Sequence, residues 1–171
     1  ICKIPPHYRM PGISTMTMSS PPSPGHMPCG IEWTDATREQ AFGQWLAATS
    51  DAHGLRPHTV RLASADASFR RYFRVDRASG GSCIVMDAPP AQENCQPFVQ
   101  VAELMKEAGL RVPDVLAWDA PQGFMLLSDL GSRTLLDVLD FDRPQDNLPH
   151  FKDATAALTA WQTASRPDVL P

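Results

Sequence analysis

The sequence lacks the cysteine spacing of a metal or disulfide site, and it lacks a long apolar run. Its four cysteines are at no metal-type spacing, and two of them (Cys2 and Cys29) lie in the first 30 residues, so neither a zinc site nor a disulfide framework is predicted. No apolar stretch approaches the length of about 18 residues that a spanning helix needs. Residues 1–30 contain no apolar core of the kind that a signal peptide requires. We therefore expect a soluble, cytoplasmic protein without a membrane partner.

Acidic residues are missing from residues 1–30, where Lys3 and Arg9 are the only fixed charges. The same stretch holds seven of the 17 prolines. Such a composition buries too little apolar surface to offset the entropy of ordering, so we predict a disordered, proline-rich tail over 1–30. Residues 31–171 carry more acidic than basic side chains. This acidic balance argues against nucleic acid as a partner.

A turn of small residues runs directly into an arginine-rich strand over residues 63–75. Along the strand, the mostly apolar residues at 69, 71, 73 and 75 alternate with the mostly polar residues at 70, 72, 74 and 76. This period of two is typical of a half-buried strand. Short side chains allow the backbone N–H groups of a turn to converge on an anion, and three arginines follow. The candidate anion-binding residues are Ser64, Ala65, Asp66, Ala67, Ser68, Arg70, Arg71 and Arg74. The alternative is a plain hairpin whose arginines face water.

Hydrophobic periodicity and turn residues predict an α+β fold. A helix capped by Thr34 or Asp35 carries apolar side chains at helical spacing and ends at Gly54. Predicted strands cover 59–63, 69–75, 82–87, 115–119 and 124–127, with a helix over 97–108 between the third and the fourth. A last helix, over about 151–166, has the apolar stripe Phe151, Ala154, Leu158 and Trp161. Nothing upstream offers that stripe a partner of comparable length.

The order of these elements, together with three motifs, resembles the smaller lobe of the aminoglycoside phosphotransferase family, which has a protein-kinase-like fold. The motifs are Asp-Ala-Ser-Phe-Arg-Arg-Tyr-Phe-Arg-Val at 66–75, Val-Met-Asp-Ala-Pro-Pro at 85–90 and Leu-Leu-Ser-Asp-Leu-Gly at 126–131. Within the family, they are most similar to bacterial kinases that phosphorylate the anomeric hydroxyl of N-acetylmuramate and N-acetylglucosamine during peptidoglycan recycling. The resemblance covers roughly residues 33–166.

The resemblance implies a five-stranded antiparallel sheet with a packed helix, followed by the first helix of a large lobe. It divides the chain into the tail (1–30), a small nucleotide-binding lobe (31–131) and the start of a truncated large lobe (132–171). The parent protein would use ATP, with Mg²⁺ bound only in the complete protein, and an amino sugar as acceptor. Ile1 in place of a starting methionine is expected either of a fragment or of an extension upstream of the real start.

The resemblance also implies positions for the nucleotide. The turn from Ser64 to Ser68 would lie over the ATP phosphates, and Ser128, Asp129 and Leu130 would form the hinge whose backbone holds adenine. Glu103, on the helix over 97–108, would be the glutamate that kinases pair with a lysine of the third strand. Its alternative is a solvated helix face.

The sequence departs from the kinase pattern at that lysine, because Met86 occupies the corresponding position. A methionine cannot neutralise phosphate charge. Either one of Arg70, Arg71 and Arg74, on the neighbouring strand, supplies the cation, since a guanidinium binds phosphate oxygens bidentately, or the nucleotide site of this lobe is weak.

No catalytic loop of the form His-x-Asp-x-x-x-x-Asn is present. His53 and Gly54 are followed by Leu55 where an aspartate is needed. Asp142 and Asn147 have the right spacing but follow Asp140 in place of a histidine, and Pro144 interrupts them. We therefore predict no catalytic or metal-binding residue here, and a chain that is inactive alone. The alternatives are a non-catalytic nucleotide-binding or interaction module and an unrelated α+β sensory domain.

Overall fold

The computed structural model describes residues 31–65, 69–165 and 168. The tail prediction for 1–30 lies outside the described residues. The elements, in chain order, are α1 (Ala36–His53), β1 (Arg61–Ala65), β2 (Arg71–Asp76), β3 (Ser82–Asp87), α2 (Gln96–Glu107), β4 (Val115–Asp119), β5 (Phe124–Ser128) and α3 (Leu148–Ala164), with short 3₁₀ turns at Pro57–Thr59, Leu136–Val138 and Pro144–Asn147.

The five strands form one antiparallel sheet in the order β1-β2-β3-β5-β4. This confirms the predicted α+β class and the five-stranded sheet. The first strand begins two residues later than predicted, because Pro57–Thr59 forms a 3₁₀ turn. The hydroxyl of Thr59 donates to the carbonyl of Arg56 (2.7 Å) and accepts from the N–H of Asp76 (2.9 Å), which fixes that turn against the end of β2.

The helix α1 packs on one face of the sheet. Asp35 caps its first turn by accepting from the N–H groups of Thr37 (2.8 Å) and Arg38 (3.2 Å), and Gly54 ends it in the left-handed conformation. Burial of large apolar side chains stabilises this face, at roughly 2 kcal/mol for each one fully removed from water. The core between α1 and the sheet consists of Phe42, Leu46, Leu55, Val60, Phe73, Val75, Cys83, Val85, Phe124 and Leu126.

The opposite face of the sheet carries a second, smaller core under α2. Met86, Met125 and Leu127 are buried there, and Phe98 and Val99 of α2 pack against them. Strand alternation explains the division, because Phe73 and Tyr72 are neighbours in β2 but belong to the first and second cores respectively. Helix α1 therefore covers one face of the sheet, and helix α2 covers part of the other face.

The helix α3 contributes little to either core. It contacts α2 and the preceding 3₁₀ turn, and within the described part of the chain only Ala160 and Trp161 of this helix are even partly buried. Phe151 is 49% exposed and Leu158 55% exposed. The predicted apolar stripe thus faces outward except at Trp161, its partly buried last member. Among the described residues, none of the helices has the length and apolarity needed to span a membrane.

Candidate binding groove

An open groove of about 420 Å³ lies on the partly covered face of the sheet, beside the end of β5. Tyr72, Ile84 and Leu127 form its floor, and each comes from a different strand. Its remaining lining residues are Ala63, Ser64, Arg74, Pro113, Ser128, Asp129, Leu130, Gly131, Ser132 and Thr134. An apolar floor with a polar rim suits a flat ring system attached to a polar group.

The rim of the groove is fixed by the carboxylate of Asp129. It accepts from Nε (2.6 Å) and Nη2 (3.2 Å) of Arg74, from the hydroxyl of Ser82 (2.6 Å) and from the N–H of Gly131 (2.8 Å). The side chain of Asp129 is only 7% exposed. The Arg74 hydrogen bond is the main reason that the pKa of Asp129 falls from its ordinary 3.8 to about 2.

This carboxylate should make folding stability pH-dependent in acid. Because the folded-state pKa lies below the unfolded one, its contribution is complete above about pH 4 and is lost as the pH falls toward 2. The shift corresponds to about 2 kcal/mol. We expect the unfolding free energies of the wild type and Asp129→Asn, measured with urea from pH 6 to pH 2.5, to converge as the pH falls. A constant difference between the two proteins over that range would contradict the assignment.

The segment that follows β5 leaves backbone groups available to a ligand. The N–H of Ser128 donates to the carbonyl of Asp114 at 2.9 Å, and this bond anchors the end of the strand. The N–H and C=O of Leu130, by contrast, make no hydrogen bond with any other residue that the structure describes. The residues predicted as a hinge therefore line the groove, and the backbone donor and acceptor of Leu130 are not used by any described residue.

The two consecutive arginines of the predicted phosphate corner lie on opposite faces of the sheet. Arg70 lies on the groove side, where its Nε donates to Oε2 of Glu93 at 3.1 Å and its guanidinium stands 6.0 Å from the ring centre of Phe98. Burial lowers the pKa of Arg70, but the hydrogen bond with Tyr72 and the charge of Glu93 outweigh it and raise the pKa overall.

Arg71 lies on the α1 side and is engaged by a fully buried carboxylate. Its Nε and Nη2 donate to Oδ2 of Asp87 at 3.1 and 2.6 Å, while Nε and Nη2 of Arg38 donate to Oδ1 at 2.9 and 2.6 Å. The guanidinium of Arg71 also stacks 3.8 Å from the ring centre of Trp33. Since the sheet separates Arg71 from the groove, we leave it out of the proposed nucleotide site.

Two other predicted positions also lie away from the groove. Met86 is fully buried in the second core, so it has no surface to offer a ligand. Glu103 is exposed on α2 and forms no ion pair with any described residue; it borders a separate hollow of about 170 Å³ beside the Lys106–Asp114 pair. The predicted kinase-like roles of these two residues stay predictions.

The turn predicted to cover the phosphates is only partly described. Ser64 lines the groove, and Ala65 is the last residue of β1, paired with Arg71. Asp66, Ala67 and Ser68 lie outside the described residues. Their predicted role in binding phosphate is therefore still a prediction.

The Asp142 and Asn147 pair has a structural explanation. Asn147 is buried, its Oδ1 accepts from the N–H of Asp140 (2.8 Å), and its Nδ2 donates to the carbonyl of Asp140 (2.7 Å). Asp142 is exposed. The amide of Asn147 thus holds the loop before α3.

Sequence reasoning missed the acidic partners of the arginines. Asp87 was placed only at the end of a strand, because a charged residue there is ordinarily exposed and the strand itself does not reveal the two arginines that pair with it. Glu93 is the only charged side chain in the loop 88–95. That loop has no periodicity from which the direction of a side chain could be inferred, and only the fold brings Glu93 to Arg70.

Comparisons of the sequence with known proteins bear on the family of the chain. The sequence profile of the phosphotransferase enzyme family matches residues 59–171. A protein of Pseudomonas aeruginosa named N-acetylmuramate/N-acetylglucosamine kinase is 52% identical over 115 residues, which is 67% of this chain and 33% of that protein. Proteins of the same name from Pseudomonas putida and Neisseria meningitidis are 43% and 38% identical, covering 80% and 68% of this chain and 36% and 34% of their own length. The chain thus spans about a third of the length of these curated relatives.

Proposed function

Because this chain belongs to the phosphotransferase enzyme family, we propose that it supplies the nucleotide-binding part of an ATP-dependent kinase for an amino sugar. The proposed acceptors are N-acetylmuramate and N-acetylglucosamine, which the three relatives carry in their names. Recycling of cell-wall sugars in the cytoplasm, where ATP is available, is the corresponding role.

The groove beside β5 is the observation that carries this proposal. Adenine would lie on Tyr72, Ile84 and Leu127. One of its ring nitrogens would accept from the N–H of Leu130 and its exocyclic amino group would donate to the C=O of Leu130, two backbone groups that make no hydrogen bond with another described residue. Buried apolar contact supplies affinity in such a site, and the few backbone hydrogen bonds supply specificity. The volume of about 420 Å³ is within the range of small-ligand sites.

The described part of the groove suits the base rather than a metal ion. Asp129 is the carboxylate that lines it, and both of its oxygens already accept hydrogen bonds from Arg74 and other donors. Magnesium ions prefer open carboxylates together with phosphate oxygens. We therefore assign Mg²⁺ to the complete kinase, held by the ATP phosphates and by residues beyond this lobe.

We propose residues 31–131 as the small lobe and residues 132–171 as the start of a second one. The outward face of α3 supports this division. Its exposed side, from Leu148 to Ala164, carries mostly apolar surface, and Phe151 is half exposed there. A contiguous apolar face of this kind is typical of a surface that another element covers.

Filling the groove tests the nucleotide assignment. Ala63→Trp places an indole in the groove, while Leu62→Trp changes a neighbouring side chain of β1 that is 56% exposed and does not line it. We expect Ala63→Trp to weaken binding of both adenosine and ATP at least about tenfold, which needs a loss of only about 1.4 kcal/mol. Titrations followed by NMR chemical shifts would measure both ligands. Equal affinities of the two variants would count against the groove.

A further inference from the structure

The proposed nucleotide site has no cation on β3, the strand that supplies one in protein kinases. There, a β3 lysine paired with a helix glutamate contacts the phosphates. In this chain, Met86 occupies the strand position that the resemblance assigns to the lysine, and it is fully buried among apolar side chains. If the groove binds ATP, another residue must balance the phosphate charge.

The register of the sheet brings one arginine next to that position. Tyr72 pairs with Met86 across β2 and β3. Arg70 precedes Tyr72 by two residues and therefore projects from the same face, diagonally across from Met86. Diagonal neighbours of this kind lie about 7–8 Å apart, within reach of a long side chain. Arg71 pairs with Asp87 and projects from the opposite face.

A carboxylate holds Arg70 in place, as the glutamate does in the kinase pair. Glu93 accepts from Nε of Arg70 at 3.1 Å, and the two side chains are only 25% and 14% exposed. The N–H of Glu93 itself donates to the carbonyl of Pro89 (2.9 Å), so the turn after β3 fixes the carboxylate. A partly buried, charge-assisted pair of this kind limits the positions that the guanidinium can adopt.

Arg74 also faces the groove, but its position and partners fit a different role. Its guanidinium donates to Asp129 and to the carbonyl of Gly131 (3.3 Å), so it stabilises the rim beside the proposed base site. Arg74 lies four positions after Arg70 along the chain, which at about 3.3 Å each is roughly 13 Å. An extended nucleoside triphosphate covers a similar distance from its base to its terminal phosphates.

We propose that Arg70, positioned by Glu93, is the cation that binds the nucleotide phosphates in this lobe in place of a β3 lysine. The inference rests on the proposed function, because it assumes that the base lies beside Leu130. It assigns Arg70 as a phosphate-binding residue and Glu93 as a positioning residue. The exposed Glu103 has no part in phosphate binding under this proposal.

The test compares ligands with and without phosphates. For the 171-residue chain, we expect Arg70→Gln to weaken ADP and ATP binding about tenfold while adenosine affinity stays unchanged, since a charge-assisted phosphate contact is worth about 1.4 kcal/mol or more. Arg70→Lys should recover part of the loss. The matched control is Arg61→Gln, which removes an exposed arginine paired with Asp76 on the adjacent strand and should leave every affinity unchanged.

The positioning role of Glu93 is tested by measuring whether the effect of its replacement depends on Arg70. We expect Glu93→Gln to lower the ratio of ATP to adenosine affinity about threefold in the wild type and to have no effect in the Arg70→Gln background. Glu93→Gln keeps the shape of the side chain, so it provides the test should Arg70→Gln fail to fold. An unchanged ATP-to-adenosine ratio in folded Arg70→Gln or Glu93→Gln would overturn the proposal. A wild type that binds neither ligand would overturn the proposed function with it.

Discussion

Replacing Asp87 with alanine should lower the free energy of unfolding by about 3–5 kcal/mol. The reason is the pair of guanidinium groups, from Arg38 and Arg71, that share this fully buried carboxylate. Without it, two positive charges face each other in a poorly solvated site, and Trp33 and Phe124 cover them with ring faces rather than with acceptors. Urea unfolding followed by tryptophan fluorescence measures the change.

The exposed pair of Arg61 and Asp76 provides the control. Asp76→Ala removes the partner of an arginine that is half exposed, and we expect a loss of no more than about 1 kcal/mol. The triple replacement Arg38→Met, Asp87→Leu, Arg71→Met should recover much of the stability lost in Asp87→Ala, because no charge is then left unpaired. Equal losses for Asp87→Ala and Asp76→Ala would show that the buried cluster contributes no more than a surface pair.

Gly123→Ala should be similarly destabilising, through sterics rather than charge. Gly123 has φ +70°, and a Cβ placed on it would lie 2.0 Å from the carbonyl oxygen of Ala88 and 3.1 Å from Cδ of Pro90. The same two backbone segments are joined by the N–H of Ala88, which donates to the carbonyl of Gly123 at 2.9 Å. The β4–β5 turn must therefore move away from β3, and we expect a loss of about 3 kcal/mol or more.

Gly54→Ala separates the backbone strain from the steric clash, the two causes of that loss. Gly54 has φ +63°, but its position for a Cβ is open, with nothing within 4 Å. Its substitution should cost only the left-handed backbone strain of about 1–2 kcal/mol. The difference between the two variants, measured as the shift in urea midpoint, reports the clash with Ala88. Similar midpoints for Gly54→Ala and Gly123→Ala would show that the turn yields without cost.

Strand and helix positions were predictable because their signals are local. The pattern at 82–87 and 115–119 gave both strands with the bounds that the structure has, since apolar runs ended by turn residues define them. The errors lie where the conformational preference of a single residue, such as proline, overrides the apolar pattern. The 3₁₀ turn at Pro57–Thr59 takes residues from the first strand, and α3 begins at Leu148 because Pro149 fits the first turn of a helix.

The groove was predictable only in part, because its charges are assigned by contacts distant in sequence. Alternation alone places Arg70 and Arg71 on opposite faces. It does not say which face holds the groove, and the answer depends on Asp87, which is engaged by Arg38, 49 residues away in the chain. Glu103 was selected by its resemblance to the glutamate of kinase helices, and the structure leaves it exposed on α2. The carboxylate that pairs with Arg70 is that of Glu93, in the preceding loop, where no local pattern indicates it.

The strand order β1-β2-β3-β5-β4 also determines how the chain must come together. The meander β1-β2-β3 and the hairpin β4-β5 each join strands that are close in sequence, so each pairing closes only a short loop. The pairing of β3 with β5 instead closes the long segment of residues 88–123, which includes α2. Loop-closure entropy grows with the length of the segment closed. That seam, which includes the contact of Val85 with Leu126, therefore carries the largest single loop-closure cost in the sheet.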